Sequence, residues 1–101
     1  MKTEQILLAL EISRCGSVSK AASNLFIAQP NASNSLALLE QELGYQIFER
    51  TYNGMKVTQQ GEAFLQYAYA IERNMQKMYR VREQETRVRL SVVAYAYPFA
   101  E

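Results

Sequence analysis

The chain has 101 residues, 49% of them hydrophobic and 21% charged, which suits one small globular domain and excludes disordered and collagen-like classes. It contains no His, Asp or Trp and a single Cys15. That composition removes Ser-His-Asp and Cys-His catalysis, aspartate dyads, nearly all zinc sites and any internal disulfide, so an enzyme is disfavoured and a reducing compartment fits. The formal net charge of +1 taken alone argues for no acidic partner.

Ile6, Leu7, Leu10 and Ile12 or Cys15 recur at three- and four-residue steps and predict a first helix over residues 3–14, ended by Gly16. Its apolar stretch is broken by Glu11 and carries no cleavage site, so no signal peptide is expected. No window reaches the length of a membrane span either. A short second helix is capped by Ser17 or Ser19 and offers Ala21, Ala22 and Leu25 as a small packing face. The turn Phe26-Ile27-Ala28 carries apolar side chains and is expected to pack inward. Cys15 is expected to be a small buried residue.

Pro30 opens a third helix, where its missing N–H is harmless. Ala32, Leu36, Leu39 and Leu43 form its inner face, and Gly44 stops it. The other face begins with Gln29, Asn31, Ser33, Asn34 and Ser35, residues of middling or poor helix propensity that a plain surface helix would not favour. An extended segment over 45–50 then leads through Asn53-Gly54, a hairpin signal because both residues tolerate positive φ, into a return strand over 55–58. From Thr58 a long helix runs to about residue 85. Phe64, Ala68, Ile71, Met75 and Met78 form a heptad-like seam along it, whose first two turns are expected to pack on their own domain. The β-branched and aromatic run from Val88 to Tyr97 reads as one strand without a partner, the first of a domain that is missing.

Two helices joined by a short turn, the first with small residues and the second with polar ones at its start, form a helix-turn-helix, and the β-ribbon makes it winged. Only the first turns of such a helix reach base edges in a major groove, and Gln29, Asn31, Ser33 and Asn34 occupy that window.

Gly16 to Leu25 (GSVSKAASNL), Gln29-Pro30, Ser33, Leu39-Glu40, Leu43-Gly44, Ile47-Phe48-Glu49-Arg50, Val57-Thr58 and Gly61 together resemble the LysR-type transcriptional regulators over roughly residues 3–90 without gaps. The resemblance implies a mainly α chain: a winged helix-turn-helix DNA-binding domain over 1–58, three helices plus a two-stranded β wing, then a dimerisation helix over 59–86. Residues 87–101 would be the stub of an effector-binding domain. It implies double-stranded DNA as partner and a homodimer through antiparallel linker helices, a tetramer in full length, in the bacterial cytoplasm on the nucleoid. No cofactor is expected in this chain; a small-molecule inducer would belong to the absent domain. Residue by residue, it implies base contacts by Gln29, Pro30 and Ser33, beside Asn31 and Asn34 from the first-turn argument. Ser17, Ser19, Lys20, Arg50, Asn53 and Lys56 would meet backbone or minor groove. The seam Phe64, Ala68, Ile71, Met75 and Met78 would join the subunits. The chain departs from the pattern at Ala28, commonly a capping Ser, at Asn34, commonly basic, and at Ala37 and Leu38, often basic.

Charge distribution refines the expectation. Residues 1–60 carry Lys2, Arg14, Lys20, Arg50 and Lys56 against Glu4, Glu11, Glu40, Glu42 and Glu49, a net of zero. Residues 12–39 and 50–61 nevertheless hold cations and no acid, which leaves about four phosphate-directed cations per subunit and a log–log salt slope no steeper than about −7 for a dimer. Two other function classes remain at this point: a winged-helix protein–protein adaptor, which near-neutral charge favours, and a small enzyme using Glu and Tyr, which no nucleophile–base pair or phosphate loop supports.

Overall fold

The computed structural model describes residues 1–82. In chain order it contains α1 (Thr3–Cys15), α2 (Val18–Asn24), α3 (Gln29–Leu43), β1 (Phe48–Thr51), β2 (Gly54–Val57) and α4 (Gln59–Tyr79). The strands form a two-stranded antiparallel ribbon with Phe48 opposite Val57 and Thr51 opposite Gly54. The chain divides into two compact units, residues 1–71 and residues from 72 onward.

In the first unit, the core is assembled from one stripe of each helix and the root of the ribbon. Ile6, Leu10 and Ile12 of α1 meet Ala21 and Ala22 of α2, Ala32, Leu36 and Leu39 of α3, Ile47 and Phe48 before and in β1, and Phe64, Leu65 and Ala68 of α4. The alanines keep α2 close to its neighbours, because a fully buried methyl fills little volume. This unit runs past residue 58, since the first turns of α4 complete its core. Phe64 and Ala68 are therefore core side chains of their own domain.

The helix ends follow the chain chemistry. Gly16 and Gly44 take left-handed conformations (φ 74° and 82°) as C-caps of α1 and α3. Ser17, not Ser19, caps α2 by accepting the Lys20 N–H at 3.1 Å. At the start of α4 the Thr58 hydroxyl accepts the Gly61 N–H at 2.9 Å and donates to the Gln46 carbonyl at 2.6 Å. Gly61 is buried against the ribbon's approach: a Cβ there would overlap the Ile47 carbonyl oxygen.

Several expectations are corrected. The turn after α2 does not pack inward: Phe26 takes a left-handed backbone (φ 61°) and is 94% exposed, and Leu25 and Ile27 are also exposed. Hydrogen bonds from Phe26 N–H to Ser23 and Ile27 N–H to Ala22 close this turn, and the left-handed residue swings its ring out to solvent. In the hairpin, Tyr52 and Asn53 form the turn and only Gly54 has positive φ (122°), so Asn53 is not left-handed. Gly54 also sits against α1's end, where a Cβ would lie 2.8 Å from the Gly16 carbonyl oxygen. Cys15 is only half-buried.

The second unit contributes the last turns of α4, where Met78 and Tyr79 are exposed and Met75 is half-buried. α4 runs to Tyr79, Arg80 is a turn residue and Val81 and Arg82 are helical again; the rest of the span expected to residue 85 lies outside the described residues. The expected strand over residues 88–97 and the stub 87–101 lie outside the described residues.

Candidate nucleic-acid interface

The core fixes which side of α3 is presented. With Ala32, Leu36 and Leu39 inward, the exposed side of the helix runs through Pro30, Asn34, Ala37 and Leu38, with Gln29 and Asn31 exposed beside them and Ser33 half-buried. Ala28 provides no side-chain cap, as expected. A groove lies along each flank of this ridge. One is lined by Asn31, Asn34 and Leu38 on α3 and by Lys2 and Glu4 at the start of α1. The other is lined by Ser33 and Ala37 on α3 and by Arg50 and Met55 on the ribbon. α3 thus stands between two depressions as a ridge about 10 Å wide, the width a major groove admits.

Glu40 sets the relation of ridge to ribbon. Its Oε2 accepts the N–H groups of Ile47 at 2.7 Å and Phe48 at 3.1 Å, joining the second half of α3 to the start of β1. Sequence reasoning placed Glu40 in a family run but assigned it no role. The available signal was position: an acid four residues after buried Leu36 borders the inner stripe and needs a donor.

The cations separate by location. Lys20, in the first turn of α2, is exposed. The register puts Arg50 opposite Met55, on the ribbon face with buried Phe48 that lines the α3 groove. Lys56 lies opposite Glu49, and strand alternation turns that pair to the other face. The stretch 50–61, free of acids in sequence, therefore has an acid beside Lys56 in space. Arg14 is engaged away from the ridge: it pairs with Glu11 at 3.7 Å and its guanidinium lies 5.5 Å from the centre of the Tyr69 ring. At the ribbon tip Asn53 is exposed and Tyr52 wholly so.

Around Glu11 a second cluster ties α1 to α2. Its Oε2 accepts from Asn24 Nδ2 at 2.9 Å and from the Cys15 thiol at 3.4 Å. The Asn24 hydrogen bond, chiefly, holds the Glu11 carboxyl below its ordinary pKa, while partial burial and the neighbouring carboxylate push the Cys15 thiol up.

Along α4, Tyr67 and Ile71 of the first unit are exposed. They line an apolar groove with Met1, Ile6, Leu43 and Tyr45. Of the five seam residues, Phe64 and Ala68 are thus committed to the core, Ile71 and Met78 are exposed and Met75 is half-buried.

Among the described residues no helix is long and apolar enough to cross a membrane, and no cluster of His, Cys, Asp or Glu could hold a metal ion.

The family model of the bacterial regulatory helix-turn-helix proteins of the lysR family matches residues 3–62. The chain is 44% identical over 62 residues to the HTH-type transcriptional regulator BenM of Acinetobacter baylyi (strain ATCC 33305 / BD413 / ADP1), covering 61% of this chain and 20% of that protein. The BenM DBD in complex with catB site 1 DNA superposes with a TM-score of 0.78 at 32% identity, covering 85% of this chain and 97% of that one. The CbnR DBD in complex with DNA superposes with a TM-score of 0.73 at 29% identity, covering 84% and 99%. The chain spans between 20% and 24% of the length of the first five curated relatives it matches.

Proposed function

The chain belongs to the lysR family of bacterial regulatory helix-turn-helix proteins, and from that membership we propose that it is the DNA-binding part of a transcriptional regulator. Each subunit inserts the exposed ridge of α3 into a major groove of double-stranded DNA. Gln29, Pro30, Asn31, Ser33 and Asn34 meet base edges there, and amide side chains suit adenine in particular. Ser17, Ser19 and Lys20 at the start of α2 meet phosphates, and Arg50 and Asn53 of the ribbon reach the flanking backbone or minor groove. The observation that carries the reading is the α3 ridge itself, an uncharged polar edge standing between two grooves, one lined by Lys2 and the other by Arg50.

The dimer forms through α4, with Ile71, Met75 and Met78 meeting a second copy. An inverted-repeat site follows, because a two-fold dimer presents the same ridge twice. In the longer protein this unit would be joined to an inducer-binding domain, would assemble further into a tetramer, and would work in the cytoplasm on the nucleoid. The small molecule belongs to that domain and no cofactor belongs to this one.

The testing experiment is a fluorescence anisotropy titration of the chain with duplex DNA at low salt. A saturable rise that a specific duplex competes better than random DNA is the expected outcome. A protein–protein adaptor would give no saturable rise.

A further inference from the structure

The side chains that α3 presents are as informative for what they lack. From Gln29 to Leu43 the helix carries no Arg or Lys. Those are the side chains that read guanine, through two bonds to O6 and N7. Its acids are also withdrawn. The Oε2 of Glu40 is taken by two backbone N–H groups, and Glu42 pairs with the N-terminal ammonium at 2.8 Å. No carboxylate is left in the first three turns to accept from the cytosine amino group.

What remains is of two kinds. Gln29, Asn31 and Asn34 are exposed amides, the group that pairs in two places with adenine N6 and N7. One to two turns further along the same exposed side, Ala37 and Leu38 are apolar, and Leu38 is 51% exposed. Leu38 lies on the outer side of a helix whose inner side is filled by Leu36 and Leu39, and it belongs neither to the core nor to the residues packed against it. It stands in the groove beside Asn31 and Asn34, and Ala37 stands in the opposite groove beside Ser33. The distance along the helix from residue 29 to residue 38 is about 13 Å, or about four base-pair steps. The one apolar group that a major groove displays is the thymine C5 methyl.

We infer that Ala37 and Leu38 read thymine methyl groups, so that the stretch of each half-site under α3 consists of A·T pairs, adenines facing the amides and methyls facing the alanine and leucine, with no guanine contact from α3. This rests on the proposed insertion of α3 into DNA and specifies the base chemistry of its target. The amides and the apolar pair are complementary parts of one readout, since every A·T pair offers both an adenine edge and a methyl group.

The test begins with duplexes selected from a random pool by the chain. A·T runs are expected within each protected half-site, and prior methylation of guanine N7 should not interfere there. Replacing single thymines in the run by deoxyuridine, which removes only the methyl, should weaken binding about fourfold at the contacted positions. In Leu38→Ala, whose substitution touches no core contact, the same replacement at the Leu38 position should have no effect. Replacing a contacted adenine by 7-deazaadenine should weaken binding about tenfold.

Selected half-sites with guanines under α3, and interference by N7 methylation, would overturn the inference while leaving DNA binding intact. So would a deoxyuridine penalty that Leu38→Ala does not abolish, or saturable binding with no enriched sequence. No saturable binding to any duplex would overturn the underlying reading and this inference together.

Discussion

The carboxylate of Glu40 lies 2.7 Å from the backbone nitrogen of Ile47, and this bond fixes the distance between the presented ridge of α3 and the ribbon. With the second bond to Phe48, it replaces water on two N–H groups at the point where the chain enters β1. Glu40→Ala leaves both donors without that partner in a half-buried place, and should lower stability by about 1.5–3 kcal/mol. Glu40→Gln keeps an acceptor oxygen and should lose less. Urea denaturation of the two variants checks the order; equal losses would show that a neutral acceptor at this position contributes nothing.

Gly61 answers to packing. In a helix interior Gly→Ala ordinarily gains about 1 kcal/mol from backbone entropy. Here the new methyl would occupy the place of the Ile47 carbonyl oxygen, a backbone atom that cannot rotate aside. Forced shifts of this kind cost about 1–3 kcal/mol, and overlap with fixed backbone belongs at the upper end. The net loss of about 2 kcal/mol in Gly61→Ala should therefore lower the melting temperature, by about 8–16 °C for a domain of this size. An unchanged or raised value would show that α4 can slide away from the ribbon.

Much of this was legible in the chain. Gly16, Pro30 and Gly44 mark helix boundaries through local backbone chemistry, and the inner stripe Ala32, Leu36 and Leu39 follows from period alone. The presented side of α3 follows by subtraction. What was not legible depends on pairing across space. Arg14 looked like a free cation until α4 brought Tyr69 beneath it. Lys56 looked remote from acids because Glu49 is distant in sequence but opposite in register. Phe26 misled because its apolar character speaks for burial while its left-handed backbone turns it outward.

The Glu11 cluster gives a pH dependence. Glu11 has its pKa lowered on folding, so it stabilises the fold at pH values above its unfolded pKa. That contribution is lost as pH falls from the ordinary Glu range through the lowered value. Glu11→Gln should flatten this part of the acid unfolding curve. The Cys15 pKa is raised, so its thiolate is scarcer than that of a free cysteine, and alkylation by iodoacetamide at pH 8 should be slower than for a cysteine-containing peptide. Glu11→Gln, which removes the adjacent charge, should speed it.

Ile71 is 39% exposed on α4, at the edge of an apolar groove that includes Tyr67. Ile71→Glu leaves the buried core untouched and places a charge where a second copy would pack. Sedimentation velocity should show the dimer converted to monomer with the circular dichroism spectrum unchanged. A retained dimer would place the subunit contact elsewhere.

An uncharged edge chooses sequence, and a few flanking cations supply affinity. With Arg14 engaged by Glu11 and Tyr69, and Lys56 beside Glu49, Lys20 and Arg50 remain for phosphates in each subunit. The log–log salt slope for a dimer should therefore lie near about −4, shallower than the −7 that the sequence alone allowed. The measurement that tests this most directly is the salt dependence of anisotropy-derived affinity for a selected and a random duplex, with wild type, Gln29→Ala and Arg50→Ala side by side. Arg50→Ala should weaken both duplexes alike and make the slope shallower by about 2 for the dimer, whereas Gln29→Ala should leave the slope unchanged and weaken only the selected duplex, by about tenfold. Equal losses on both duplexes from both variants, or a slope near zero for wild type, would contradict it.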